Sequence, residues 1–276
     1  MALRITSLIE NTAGQSHLAC EAGMSLYIEH DGKNILVDTG ASSSFIANAK
    51  ALGKDLSALD YVILSHNHSD HGGGLRALRE QYGNKYQLII SPYFFERKYR
   101  RFGEVIRYIG NNFSPEYLSE SGITTVYPMS DTYLVTDGVY LLSAISSANA
   151  FEDEPNDFLA YRAGEYVPDM FREEVFLAFD MPGGLVVIAG CGHRGVANIC
   201  DGAKARLGKP PRAIVGGLHL KDSAPERVRR TIAYLKKESV ALLATGHCNG
   251  DVAEGMLASS AMEILPLSSG TILEFE

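Results

Sequence analysis

The chain has 276 residues, of which 46% are hydrophobic and 21% charged, and its formal net charge is −8. That length suits one compact α/β domain over residues 1–276 with a modest insertion. The acidic balance argues against a sequence-independent grip on nucleic acid, which needs clustered positive charge.

No stretch approaches the ~20 apolar residues of a membrane-spanning helix, and the first ten residues lack the apolar core of a signal peptide. The four cysteines, Cys20, Cys191, Cys200 and Cys248, are irregularly spaced. They read as thiols or ligands rather than a disulfide framework, and the expected compartment is the cytoplasm. The oligomeric state is not readable from these residues.

In chain order, Met24 to His30 partly alternates as a half-buried strand does, and Asp31-Gly32 turns it into Asn34-Ile-Leu-Val-Asp38. Phe45, Ala49 and Leu52 stand at helical spacing, with Gly53 placed to end the helix. Tyr61 to Leu64 is a short apolar strand that runs into Ser65-His-Asn-His-Ser-Asp-His-Gly-Gly-Gly74. Leu75 to Tyr82 reads as helix and Gln87 to Ile90 as strand.

The stretch 92–128 is irregular by pattern and is expected to be an insertion or cap. Within it, Tyr93 to Phe102 interleaves aromatic and basic residues. The favoured reading is an amphipathic helix with a solvated basic face, and the rival is a lid that stacks on a planar or phosphorylated substrate. Glu152 to Asp157 is expected to be an exposed acidic loop.

Strand signals resume at Val139 to Leu142, Glu174 to Phe179, Leu185 to Ile188 and Arg212 to Val215. Ser223-Ala-Pro-Glu226 has the form of a capping box ahead of the helical stripe Val228, Ile232 and Leu235. Val240 to Ala244 is the last predicted strand before Gly246-His247. Two runs of strands interleaved with helices predict a layered α/β fold.

The strongest chemical signal is His66-x-His68-x-Asp70-His71, on the turn after a buried strand. Imidazole and carboxylate are natural ligands of zinc and similar metals. Four such groups within six residues cannot all face one ion. They can serve two if the turn sends His66 and His68 one way and Asp70 and His71 the other. His193, His219 and His247 each follow an apolar strand beside glycine, where α/β sheets gather functional groups.

These residues resemble the metallo-β-lactamase superfamily. Leu64 to His71 resembles its metal motif and Leu36-Val-Asp38-Thr-Gly40 its early strand pair. Gly190-Cys191 falls where the family carries a bridging aspartate, and Gly246-His247 where it carries its last histidine. The resemblance implies a four-layer αββα sandwich with one or two divalent ions, zinc first and manganese or iron as alternatives.

It also implies His66 and His68 on the first ion, and Asp70, His71 and His247 on the second. Cys191 and His193 compete for a further ligand position. Asp38 would orient the metal turn through hydrogen bonds. Gly190 to Ile199, Gly216 to Leu220 and Gly246 to Gly250 resemble one subgroup in particular. It is named for an archaeal synthase that joins a dihydropterin to a ribofuranosylaminobenzene phosphate.

Two departures stand out. No histidine lies between Gly72 and Cys191, where hydrolases of the superfamily commonly have one. Cys20-Glu21-Ala22-Gly23 stands where the subgroup has Glu-His-Gly.

The function expected is a metal-dependent hydrolase of an ester, lactone, thioester or phosphodiester-type small molecule. Asp70 would be ligand and catalytic group, and His219 would bind substrate and donate a proton. The rivals are a transferase of the pterin-synthase kind, an iron oxidoreductase and a non-catalytic metal-binding member. Iron reductases of the fold carry glutamate where His68 stands.

Overall fold

The computed structural model describes residues 2–152 and 157–276. Its strands, in chain order, begin with β1 (Leu3–Ile9), β2 (Ser25–His30), β3 (Lys33–Val37), β4 (Tyr61–Ile63), β5 (Gln87–Ile89) and β6 (Arg97–Phe102). Next come β7 (Val105–Tyr108), β8 (Thr124–Val126), β9 (Thr132–Thr136), β10 (Val139–Leu142), β11 (Phe158–Arg162) and β12 (Glu165–Pro168). The last six are β13 (Phe176–Met181), β14 (Gly184–Ala189), β15 (Pro211–Gly216), β16 (Leu242–Thr245), β17 (Glu263–Pro266) and β18 (Ile272–Phe275).

The helices are α1 (Ser44–Ala51), α2 (Ser69–Gly72), α3 (Leu75–Tyr82), α4 (Pro115–Glu120), α5 (Val196–Leu207), α6 (Pro225–Lys237) and α7 (Asp251–Ala258). None among the described residues is long and apolar enough to cross a membrane. The chain divides into two compact units.

Unit one comprises Met1–Met129, Pro155–Glu173 and Ser268–Glu276. Its main sheet has the order β18-β1-β2-β3-β4-β5-β8. The pairings are antiparallel from β18 to β3 and parallel from β3 to β8. Parallel neighbours need crossovers, and α1 and α3 supply two of them. Leu36, Val62, Leu64 and Leu88 from the sheet pack with Phe45, Ala49, Leu75 and Leu78 from these helices. Each of these Leu, Val and Phe side chains contributes about 1.5–3 kcal/mol when fully buried.

Unit two comprises Ser130–Glu154 and Glu174–Leu267. Its sheet runs β9-β10-β13-β14-β15-β16-β17. Three antiparallel pairings are again followed by three parallel ones. Helices α5, α6 and α7 are the crossovers. Val196, Ile214, Val228, Leu235, Leu243 and Leu257 close one core cluster between helices and sheet, and Phe176, Leu185, Val187 and Ile199 close another.

Several expectations change. Residues 97–102 form strand β6, not a helix, because β11 pairs with it antiparallel from Phe158↔Arg100 to Tyr161↔Arg97. A partner some 60 residues on is invisible to local periodicity. The expected insertion contributes β6 and β7, which join β11 and β12 in a small four-stranded sheet. The same stretch ends in β8, an edge strand of the main sheet.

The capping box at Ser223 does not form. Pro225 takes the first helical position and Ala224 becomes the N-cap, with no side-chain cap bond. The acidic stretch is not all exposed either. Glu152 is buried and accepts hydrogen bonds from the N–H groups of Ala197 and Asn198 at the start of α5, both 2.9 Å. Burial raises its pKa despite those two donors. Residues 153–156 of that stretch lie outside the described residues.

Candidate metal centre

In unit one the turn after β4 is built on one carboxylate. Asp38 follows β3, is fully buried, and sits at φ 58° in the left-handed region. Its Oδ1 accepts from Ser65 N–H at 2.8 Å. Its Oδ2 accepts from the Ser65 hydroxyl at 2.7 Å and from His71 Nδ1 at 2.6 Å. Because β3 and β4 are parallel neighbours, Asp38 and Ser65 emerge side by side at the same sheet edge.

These contacts set the tautomers. His71 Nδ1 bears the proton given to Asp38, so its Nε2 carries the lone pair that a metal ion would take. Ser65 Oγ gives its own proton to Asp38 and therefore accepts from His66 Nδ1, 2.9 Å away. The lone pair of His66 is thereby also on Nε2.

That Nε2 lies 3.1 Å from His68 Nδ1. Two nitrogens on one tetrahedral zinc ion, each at about 2.0–2.1 Å, stand about 3.3 Å apart. The pair therefore fits a shared ion, and without one a proton on His68 Nδ1 bridges the two rings. A ring nitrogen of His71 lies within 4.8 Å of one on His66, and an Asp70 carboxylate oxygen is equally close to His71.

The turn is rigidly framed. His68 is the N-cap residue of α2, which carries Asp70 and His71. Asn67 donates to the carbonyl of Glu96 at 2.9 Å and accepts from Asn111 N–H at 3.1 Å. Gly73 is needed for close approach: a Cβ there would lie 2.4 Å from the Ser69 carbonyl and 2.5 Å from that of Ala41. The His68 ring stacks on Phe158 at 5.7 Å and meets Phe171 edge-on at 5.9 Å.

In unit two the candidate residues follow three adjacent parallel strands. Ala189, Gly216 and Thr245 are paired across β14, β15 and β16. Cys191 and His193, His219, and His247 follow those three strand ends respectively. His193 and His219 bring their ring centroids to 4.1 Å. His219 and His247 both sit at φ 48°. Non-glycine residues in that region cost about 1–3 kcal/mol and concentrate at functional sites.

Bracing groups not expected from the sequence hold these turns. Glu174 is buried, and its two oxygens accept from His193 N–H and Arg194 N–H, both at 2.8 Å. Cys248 Sγ accepts from His219 N–H at 3.2 Å and donates to the Cys191 carbonyl at 3.4 Å. Asn249 accepts from Leu218 N–H and donates to the Thr245 hydroxyl. A cysteine and an asparagine directly after His247 were the only sequence signal for two of these three. Cys191, Cys200 and Cys248 are buried, and Cys20 is exposed.

Residues 19–140 match the family model of the metallo-β-lactamase superfamily. Over 99% of this chain and 97% of the relative, the sequence is 30% identical to the 7,8-dihydropterin-6-methyl-4-(β-D-ribofuranosyl)-aminobenzene-5′-phosphate synthase of Methanocaldococcus jannaschii. The crystal structure of Tm1679, a metal-dependent hydrolase of the β-lactamase superfamily, superposes with a TM-score of 0.87 at 28% identity, covering 99% of both chains. The metallo-β-lactamase fold protein YhfI of Bacillus subtilis superposes at 0.61 with 13% identity over 99% of both, which shows likeness of fold.

Proposed function

Because this chain belongs to the metallo-β-lactamase superfamily, we propose that it is a metal-dependent hydrolase of a small molecule with an ester, thioester, lactone or phosphodiester-type bond. The observation that carries this reading is the 3.1 Å approach of His66 Nε2 to His68 Nδ1, with the His66 tautomer set by Ser65 and Asp38. Such a pair is a prepared metal chelate.

In this reading His66 and His68 hold one ion, while Asp70, His71 and His247 hold a second. Cys191 or His193 supplies a further donor. Zinc is the first choice, with manganese or iron as alternatives, since nitrogen-rich sites suit zinc. When bound, such ions lower the pKa of a coordinated water to near neutrality and polarise the substrate oxygen.

The chain's own groups do the rest. Asp70 orients the attacking water as well as serving as a ligand. His219 binds the substrate and donates a proton to the leaving group. Its backbone is held for this by the N–H bond to Cys248 Sγ. The reading involves no nucleic acid or membrane partner.

A second reading is favoured by one observation, the 30% identity to the dihydropterin synthase over nearly the whole chain. The same donors would then serve a transferase that expels phosphate or pyrophosphate.

The test is the metal content of protein purified without added metal, beside His68→Ala and Cys191→Ala, followed by assay against each bond type. Metal lost in His68→Ala together with hydrolysis of one bond class supports the proposal. Release of phosphate or pyrophosphate only with an amine-bearing second substrate selects the transferase. Metal bound without turnover leaves a non-catalytic member, and no metal even after reconstitution sinks the reading.

A further inference from the structure

Unit one buries a lysine close behind the metal turn. Lys98, on β6, is wholly inaccessible to solvent. Its Nζ donates to Glu173 Oε2 at 2.7 Å, Asp169 Oδ1 at 2.8 Å and Glu96 Oε2 at 3.2 Å. These three carboxylates have oxygens within 4.8 Å of one another, a nest suited to a cation, and the ammonium is that cation. Burial by itself pulls the Lys98 pKa down. Glu173 and Asp169 outweigh it and hold the ammonium above its ordinary range.

The cluster does more than neutralise itself. Asp169 Oδ1, gripped by Lys98, also accepts the backbone N–H of Phe171 at 2.8 Å. Phe171 sits at φ 46°, in the left-handed region that a bulky residue occupies only when its surroundings impose it. In that conformation its ring is buried, 5.9 Å and edge-on to His68, and 5.6 Å from Phe158. Lys98 Nζ lies 5.6 Å from the centre of the same ring.

The geometry points to Lys98 and Asp169 as positioning residues for the His68 imidazole, acting through the enforced backbone of Phe171. This rests on the reading of His68 as a metal ligand. The ion cluster pins Asp169, Asp169 pins the Phe171 N–H, and the Phe171 and Phe158 rings limit how His68 can turn. A charged clamp suits the task because its hydrogen bonds are directional, whereas apolar packing alone permits the ring to slide.

The test compares Phe171→Leu, Asp169→Asn and Lys98→Met with the wild type in the full chain. Cobalt(II) affinity by competition with a chelator and the visible spectrum of the cobalt form report the ligand geometry. The His68 ring-proton resonances of the metal-free protein report the imidazole alone.

Phe171→Leu and Asp169→Asn are expected to weaken cobalt binding roughly 10–100-fold, alter the spectrum and shift the His68 resonances. Lys98→Met leaves buried carboxylates without their cation and can cost the fold. Phe171→Leu removes no charge and so keeps the question answerable. Wild-type cobalt affinity, spectrum and His68 resonances in Phe171→Leu would overturn the inference. A wild-type chain that takes up no cobalt would overturn the metal reading, whereas the metal-free resonances test the clamp separately.

Discussion

The two units repeat one plan. Each has a seven-stranded sheet in which three antiparallel pairings give way to three parallel ones. Each places polar residues just beyond the strands of its parallel half. They differ in how those residues are delivered. Unit one carries His66, His68, Asp70 and His71 on a single turn and braces them with one buried carboxylate, Asp38. Unit two spreads Cys191, His193, His219 and His247 over three turns, aligned by strand register and tied by Glu174, Cys248 and Asn249. The first arrangement is local and rigid. The second depends on the whole sheet.

This difference predicts unequal sensitivity. The largest effect belongs to the turn itself: His66→Ala or His68→Ala should lose bound metal and turnover together, and lose more metal than Cys191→Ala. Elemental analysis of the three purified variants decides it, and equal losses would erase the distinction between the units.

The next largest effect tests the brace. Asp38→Ala removes the acceptor of three buried hydrogen bonds. It should weaken metal binding about 10–100-fold and destabilise the fold by about 1–3 kcal/mol for each buried donor left unsatisfied. Chelator competition and urea unfolding measure the two parts, and unchanged metal affinity would show that the turn needs no brace.

How far each unit could be read from the sequence follows the same division. The hairpin β2–β3, strand β4 and helix α3 are set by local alternation, turns and helical spacing, and they were predicted within a residue or two. The turn from His66 to His71 could be singled out from the sequence because its candidate ligands lie within six residues. In unit two, β14, β15 and α6 were predicted from their apolar patterns. Helix α5 was not, since Gly202 interrupts it and its start depends on Glu152, more than 40 residues earlier. Glu174 carried no signal either, because its role is to meet N–H groups about 20 residues away. Strands β6 and β11 escaped for the same reason.

A smaller effect probes alignment in unit two. At Gly216, φ is 122° and a Cβ would stand 1.9 Å from the Ala189 carbonyl oxygen, so β14 and β15 meet there backbone to backbone. Gly216→Ala should cost about 1–3 kcal/mol from crowding, with a milder loss of metal affinity than Asp38→Ala. An unchanged unfolding midpoint would mean that strand register tolerates more than the comparison claims.

The smallest effect concerns the buried cluster of unit one. Burial lifts the Glu173 carboxyl from 4.5 to about 7, against the pull of Lys98. Between those pH values the folded chain keeps a proton that the unfolded chain has released. The group's contribution to stability is therefore full below about pH 4.5 and is lost as pH rises to about 7. Glu173→Gln should flatten that part of the stability profile of metal-free protein. Thermal melts across the window check it, and an unaltered slope would remove Glu173 from the account.

The pairing of β18 with β1, which sets Leu3 opposite Phe275, also bears on how the chain is made. During synthesis β1 leaves the ribosome well before β18, and its outer edge stays without that neighbour until residue 275 has followed. Unit one therefore cannot finish folding while unit two is being translated, and it presents an open strand edge throughout.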